Sequence, residues 1–138
     1  MSGSFVADSS VGLAWVHPSQ ATELTARLLA DVETGATVHV PSLWPLEIGN
    51  ALLVAVRRKL MTDNQRKSAL ALLSRLTVLV DPETAPLAWT TISDLATKHT
   101  LSVYDASYLE LALRKKLPLA SRDGPLCAAA LKSGVKVL

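Results

Sequence analysis

The chain has 138 residues, 49% of them hydrophobic, and its formal net charge at pH 7 is only +2. This length suits one compact domain and leaves no room for two, so we expect residues 1–138 to form a single domain. The small net charge does not by itself indicate a nucleic-acid-binding protein. No segment approaches the ~18 uninterrupted apolar residues of a membrane span, and the lone cysteine, Cys127, excludes an internal disulfide framework and fits a reducing cytoplasm.

Short β-like runs alternate with longer helical runs along the chain. Strands are predicted at 4–7, 37–40, 77–80, 118–120 and 135–138, and helices at 10–16, 20–33, 41–60, 62–76, 82–98, 102–113 and 125–131. This alternation, with few hairpin signals, predicts an α/β fold with a mostly parallel sheet covered on both faces. Such sheets bind ligands beyond the carboxyl ends of their strands, so the acidic residues at that edge are the ones to test.

Most of the twelve acidic residues have simple structural explanations at helix ends, in turns or on solvated faces. Asp81 fits a turn, and Glu110 is spaced to pair with Arg114 one turn later. The others explained in this way are Glu23, Asp31, Glu33, Asp63, Glu83 and Asp94. Four acids remain, and they carry the functional hypothesis.

These four are Asp8, Glu47, Asp105 and Asp123. Asp8 and Asp123 follow predicted strands, although each also fits a helix N-cap. Glu47 lies on an apolar helix face, where an unpaired carboxylate is costly to bury. Asp105, within SVYDASYLELAL, also fits the S-x-x-D capping pattern that starts at Ser102.

If the four carboxylates converge, their repulsion requires a cation or retained protons. Two carboxylates ~4 Å apart repel by about 4 kcal/mol at an effective dielectric near 20. An all-oxygen acidic cluster suits Mg²⁺ or Mn²⁺, and a divalent ion held in this way supports phosphoryl chemistry. The adjacent hydroxyls of Ser9, Ser10 and Ser121 are candidates to orient water or phosphate.

The segments VADSS, PSLWPLEIGNAL, SVYDASYLELAL and PLASRDGPL followed by GVKVL resemble the PIN-domain family, and more narrowly its VapC-type toxins. The resemblance spans essentially the whole chain, with the motifs in the order and spacing of the family. It implies an α/β/α sandwich and a Mg²⁺- or Mn²⁺-dependent endoribonuclease that acts as the toxin of a toxin–antitoxin pair. It also implies a cognate antitoxin that lies across an apolar groove, and a homodimer.

The resemblance assigns the four acids as catalytic and metal-binding residues. Asp8 and Asp105 match the least variable metal-ligand positions, whereas Asp123 matches a less uniform one. Ser121 stands where the family often has threonine, which retains the hydroxyl. Asn50, one turn after Glu47, matches a common accessory polar position.

Arg122 adjoins Asp123 and is the best candidate for an RNA phosphate contact. The basic runs at 57–59, 66–67 and 114–116 are typical of solvated helix ends. Trp15, Trp44 and Trp89 are predicted to lie in the core or to line a groove, and Trp44 lies near the mouth of the site. An antitoxin helix in such a groove is one known mode of recognition.

Two alternatives stay open. A phosphoacceptor signalling domain also gathers aspartates at strand ends around Mg²⁺, but its central candidate here, Asp81, resembles a turn residue. A non-catalytic PIN-like binding module would retain the acids only as helix caps. A dinucleotide or nucleotide fold is disfavoured because the chain contains neither G-x-G-x-x-G nor G-x-x-x-x-G-K-[ST].

Overall fold

The computed structural model describes residues 3–138. Within that range, four parallel strands form one sheet in the order β3-β2-β1-β4: β1 (Phe5–Ala7), β2 (Val38–Val40), β3 (Val78–Val80) and β4 (Leu119–Ala120). The helices are α1 (Ser9–Val16), α2 (Glu23–Glu33), α3 (Trp44–Arg57), α4 (Asp63–Arg75), α5 (Thr84–Leu87), α6 (Thr91–His99), α7 (Val103–Lys115) and α8 (Gly124–Lys132). A 3-10 turn at Pro18–Gln20 joins α1 to α2.

The all-parallel sheet confirms the predicted α/β architecture. Helices α1 to α4 pack against one another, as do α6 to α8, and the two groups sandwich the sheet. All three residues of β1 are buried, as expected for a central strand covered on both faces. The core continues into the helices through fully buried side chains such as Ile48, Leu52 and Leu109. In residues 3–138, no helix is long and apolar enough to cross a membrane.

The predicted single helix at 82–98 is wrong, because the chain forms α5 and α6 with a turn between them. Leu87 and Ile92 pack in the same small apolar cluster although they are five residues apart, which is out of phase for one helix face. The interruption brings both side chains onto that cluster. It also leaves Trp89 on the surface with 93% of its area exposed, so the predicted core or groove position of Trp89 is wrong.

The other differences concern the ends of elements. The predicted helix at 41–60 is shorter, because Ser42 donates its backbone N–H to Thr84 Oγ1 and Lys59 adopts a left-handed conformation with φ 59°. The predicted strand at 135–138 is reduced to a single parallel bridge between Leu119 and Val137.

Helices α1 and α3 approach closely at Gly12. A Cβ added there would lie 2.6 Å from both Ile48 Cδ1 and Trp44 Cζ2, so only glycine fits without displacement. The buried Trp44 indole also donates its Nε1–H to the Asp8 carbonyl at 3.2 Å. This packing therefore connects helix α3 to the carboxyl end of β1.

Candidate active site

Two of the candidate carboxylates follow adjacent parallel strands. Asp8 comes directly after β1 and Asp123 comes shortly after β4, and because these strands are paired in parallel both acids lie at the same edge of the sheet. Both are also N-caps: Asp8 accepts the Val11 backbone N–H at 3.3 Å, and Asp123 accepts that of Leu126 at 2.9 Å. The capping interpretation is thus confirmed, and it fixes where each carboxylate lies.

Asp8 is the most buried of the four acids, with 5% of its surface exposed. Ser10 Oγ donates to one carboxylate oxygen at 2.6 Å, and Ser121 Oγ donates to the other at 2.5 Å. Burial raises the pKa of Asp8, the hydrogen bonds from both serines oppose that change, and the charge of Asp123 adds to it. The site therefore holds a carboxylate whose charged form is only partly stabilised by the protein.

Glu47 and Asp105 come from the first turns of α3 and α7. Burial raises the pKa of Glu47, and the charges of Asp105 and Asp8 raise it further. Burial likewise raises the pKa of Asp105, with added contributions from Asp123 and Asp8. The charge of Asp8 acts on both Glu47 and Asp105, and the charge of Asp123 acts on Asp8 and Asp105. Asp8, Glu47, Asp105 and Asp123 are therefore linked into one electrostatic group, which we call the acidic cluster.

The predicted cap at the start of α7 is formed, but not as a full capping box. Ser102 Oγ accepts the Asp105 backbone N–H at 3.0 Å. The reciprocal side-chain bond, which is present at the starts of α2 and α4, is not formed between these two described residues. The Asp105 carboxylate is therefore available to the acidic cluster while its backbone is held by the cap.

The acidic cluster has no basic counterpart. None of the ion pairs in residues 3–138 includes one of its members. Within the same part of the chain, no three His, Cys, Asp or Glu side chains are close enough together to hold a metal ion directly. The donor set is nevertheless oxygen-rich and anionic, which fits Mg²⁺ or Mn²⁺ with several retained waters better than a closed protein cage.

The predicted accessory residues differ in their burial and in their contacts with the cluster. Ser9 is the first residue of α1, and its hydroxyl lowers the pKa of Glu47. Asn50 is exposed on α3. The Arg122 backbone N–H donates to Ser10 Oγ at 3.1 Å, whereas its exposed guanidinium donates to the Gln20 carbonyl at 2.7 Å. A phosphate contact by Arg122 remains a prediction that requires this guanidinium to move.

Sequence reasoning missed Tyr108, whose hydroxyl donates to Glu47 Oε1 at 2.5 Å. The available signal was its position three residues after Asp105, on the same side of α7. Cys127 is half-buried, and its thiol donates to the Ser121 carbonyl at 3.5 Å. Burial raises the pKa of this thiol, which disfavours its reactive thiolate.

A second pair of acids lies buried in α7 and after β3, and both acids are ion-paired to the same arginine. Arg114 donates to both oxygens of Asp81, at 3.2 and 2.5 Å, and to Glu110 at 2.8 Å. The predicted pairing of Glu110 with Arg114 is confirmed. The interpretation of Asp81 as a simple turn residue is incomplete, because it is buried and ion-paired.

Comparison with known proteins identifies the family of this arrangement. The PIN domain family model matches residues 5–132, while a comparison with curated proteins returns no match. The fold is similar to the crystal structure of PAE2754 from Pyrobaculum aerophilum, with a TM-score of 0.68 and 24% identity over 94% of this chain and 81% of that one.

Two further solved structures share the fold. One is VapBC2 from Rickettsia felis bound to a DNA fragment from their promoter, with a TM-score of 0.64 and 13% identity over 98% of this chain and 97% of that one. The other is FitAcB from Neisseria gonorrhoeae, with a TM-score of 0.60 and 19% identity over 97% and 96%. At these identities the likeness shows the fold alone.

Proposed function

The chain belongs to the PIN domain family, and we propose that it is the endoribonuclease toxin of a toxin–antitoxin pair, acting in the cytoplasm. In this proposal it hydrolyses RNA phosphodiester bonds with Mg²⁺ or Mn²⁺ at the acidic cluster. The observation that carries the proposal is the convergence of four carboxylates from four chain segments, none of which is ion-paired in residues 3–138. Burial raises the pKa of Asp8, Glu47 and Asp105. The VapC-like motifs and the fold shared with VapBC2 support the toxin role.

The acidic cluster would hold the ion through direct and water-mediated contacts. Asp8 and Asp105 are the proposed principal ligands, and Glu47 and Asp123 complete the anionic shell. When bound, the ion would polarise the phosphate, help to ionise a water and stabilise the leaving oxygen. The chain's own part is to keep the ligands in place: the Ser10 and Ser121 hydroxyls fix both oxygens of Asp8.

RNA recognition would depend on shape and backbone charge rather than on base stacking. Exposed cations such as Lys115, Lys116 and Arg122 can contribute to phosphate binding, whereas Arg114 is already engaged by two carboxylates. Exchange of the Arg122 contact with Gln20 for a phosphate contact would bring a cation beside Asp123.

An apolar groove of about 680 Å³ between the end of α1, the 3-10 turn and α4 is the proposed antitoxin site. Trp15, Met61, Ala69 and Leu72 supply apolar lining, which suits the apolar face of an amphipathic helix. The exposed Ser68 also lines it, so Ser68→Trp should prevent neutralisation by a co-expressed antitoxin while RNA cleavage continues. Association as a homodimer is a further expectation from the family.

The decisive experiment compares RNA cleavage by wild type and Asp8→Asn. Asparagine retains the N-cap of α1 but removes the charge. Because a bound ion contributes several kcal/mol and 1.36 kcal/mol is tenfold, we expect a loss of about 1000-fold. Asp94→Asn, which changes an exposed acid on α6, is the matched control and should cleave like wild type.

Equal cleavage by Asp8→Asn and wild type would contradict the assignment. A wild type that neither cleaves RNA nor gains thermal stability from Mn²⁺ would favour the non-catalytic binding module. Incorporation of phosphate from a small phosphodonor would favour the signalling alternative instead.

A further inference from the structure

Tyr108 makes the side-chain contact that joins two of the segments carrying the acidic cluster. It lies on α7 with 1% of its surface exposed, and its hydroxyl donates to Glu47 Oε1 on α3 at 2.5 Å. A buried tyrosine hydroxyl requires a hydrogen-bond partner, and here a carboxylate takes that place. The ring therefore fixes its hydroxyl within the core, and the hydroxyl in turn fixes Glu47.

The position of Tyr108 on α7 couples Glu47 to Asp105. Residues three apart on a helix are neighbours on its surface, so Tyr108 and Asp105 project from the same side of α7. The hydrogen bond consequently sets the place of the Glu47 carboxylate relative to that of Asp105. The Tyr108 hydroxyl bonds Oε1 only, so Oε2 makes no bond to Tyr108 and retains its own capacity to accept.

No other described side chain of α7 donates a hydrogen bond to Glu47, so without the Tyr108 hydroxyl this helix would not hold Glu47 near the acidic cluster. Glu47 is half-buried, and the charges of Asp105 and Asp8 act against its own. A long side chain in that position reduces the repulsion by rotating toward solvent. A neutral donor such as the Tyr108 hydroxyl opposes that rotation and leaves the negative charge of the carboxylate for a cation.

We propose that Tyr108 is a positioning residue of the acidic cluster, whose buried hydroxyl holds Glu47 in the orientation that binds the divalent ion. This inference rests on the proposed function and adds to it a residue outside the four acids. It predicts that removal of the Tyr108 hydroxyl weakens metal binding although Asp8 and Asp105 are unchanged.

The test measures Mn²⁺ binding to the full chain by titration calorimetry for wild type, Tyr108→Phe and Tyr104→Phe. Removing an outer-shell partner of a ligand typically weakens metal affinity 10–100-fold, so we expect at least about a tenfold loss for Tyr108→Phe. Tyr104→Phe removes the same atom from an exposed residue one turn earlier and should bind Mn²⁺ like wild type. The metal-free unfolding midpoint of each variant separates this effect from a loss of folding.

A double-mutant cycle with Glu47→Ala tests whether Tyr108 acts through Glu47. In that background Tyr108→Phe should cause no further loss of Mn²⁺ affinity, and additive losses would overturn the proposal. Wild-type affinity in Tyr108→Phe, or its failure to fold, would also overturn the positioning role while the proposed function stands. A wild type that binds no Mn²⁺ and cleaves no RNA would overturn both.

Discussion

Two groups of carboxylates, one buried and one mostly half-buried, have opposite surroundings in this molecule. Asp81 and Glu110 share the guanidinium of Arg114, whose pKa both carboxylates raise, Glu110 more strongly. The acidic cluster contains twice as many carboxylates, and within residues 3–138 its side-chain hydrogen bonds come from hydroxyls and backbone N–H groups. Both groups lie on or beside α7, so one group beside this helix is ion-paired to a cation and the other is not.

We attribute a structural role to the first group and, under the proposed function, a metal-binding role to the acidic cluster. A buried acid with a bidentate arginine has its charge balanced within the chain, and its contribution is to connect elements. The Asp81–Arg114–Glu110 network connects the end of β3 to the last turns of α7. Buried acids without a cation destabilise the fold, and they persist where they meet a ligand. Substitutions in either group test this contrast.

Removal of the Arg114 guanidinium from Asp81 and Glu110 should produce the largest loss of stability. Arg114→Met leaves two carboxylates, each with 5% of its side chain exposed, without a partner. Breaking such a pair costs about 3 kcal/mol, measurable as a fall in the free energy of unfolding in urea. Arg66→Met, which breaks a pair with the exposed Asp63, is the control and should remain close to wild type.

The addition Asp81→Asn/Glu110→Gln to Arg114→Met should recover part of that stability, because the unpaired charges are then gone. If Arg114→Met alone is as stable as wild type, the Asp81–Arg114–Glu110 network does not stabilise the fold. The proposed difference between the two groups would then be wrong.

A smaller effect is expected where packing, rather than charge, supports the acidic cluster. Gly12→Ala forces a methyl group against Ile48 and Trp44, whose indole donates to the Asp8 carbonyl. Overpacking of this kind costs about 2 kcal/mol, and displacement of Trp44 should also weaken Mn²⁺ binding. Gly49→Ala, on α3 with nothing within 4 Å of the added methyl, should be neutral or stabilising. Equal stability of the two variants would contradict the close approach.

The sequence predicts the acids of the site better than it predicts their supports. Asp8 and Asp123 are found because strand endings and the geometry of parallel sheets are local and general. Glu47 is found because a carboxylate on an apolar face is costly. The Tyr108–Glu47 bond joins residues 61 positions apart, and such a contact depends on how α3 and α7 pack rather than on either segment.

The difference between local patterns and long-range contacts also explains the incomplete prediction for Asp81 and the wrong prediction of one helix at 82–98. Asp81 has the local features of a turn, and only the folded chain brings Arg114 to it. The stretch at 82–98 has a mostly helical pattern despite Pro86, and the structure packs Leu87 with Ile92 by placing a turn between them. Local patterns specify elements, whereas interruptions and partners follow from the core that the elements share.

The smallest expected effect concerns how the acidic cluster makes the stability of the fold depend on pH. Burial raises the pKa of Asp105 above its ordinary value of 3.8. The folded state therefore retains the proton longer than the unfolded state, and the resulting stability is present below pH 3.8 and lost as the pH rises through the folded-state pKa. Asp105→Asn does not titrate, so in metal-free buffer it should be more stable than wild type at pH 7, by less than about 1 kcal/mol because solvent screens this partly exposed site.

The stability advantage of Asp105→Asn should shrink as the pH falls toward 3.8. At pH 7 it should reverse when Mn²⁺ is added, because only the wild type retains the full set of carboxylates. Unfolding midpoints measured with and without Mn²⁺ at several pH values test both signs, with Asp94→Asn as the control that should show neither. A wild type that is more stable than Asp105→Asn at pH 7 without metal would mean that the fold compensates Asp105 internally. The acidic cluster would then be a structural group like Asp81 and Glu110.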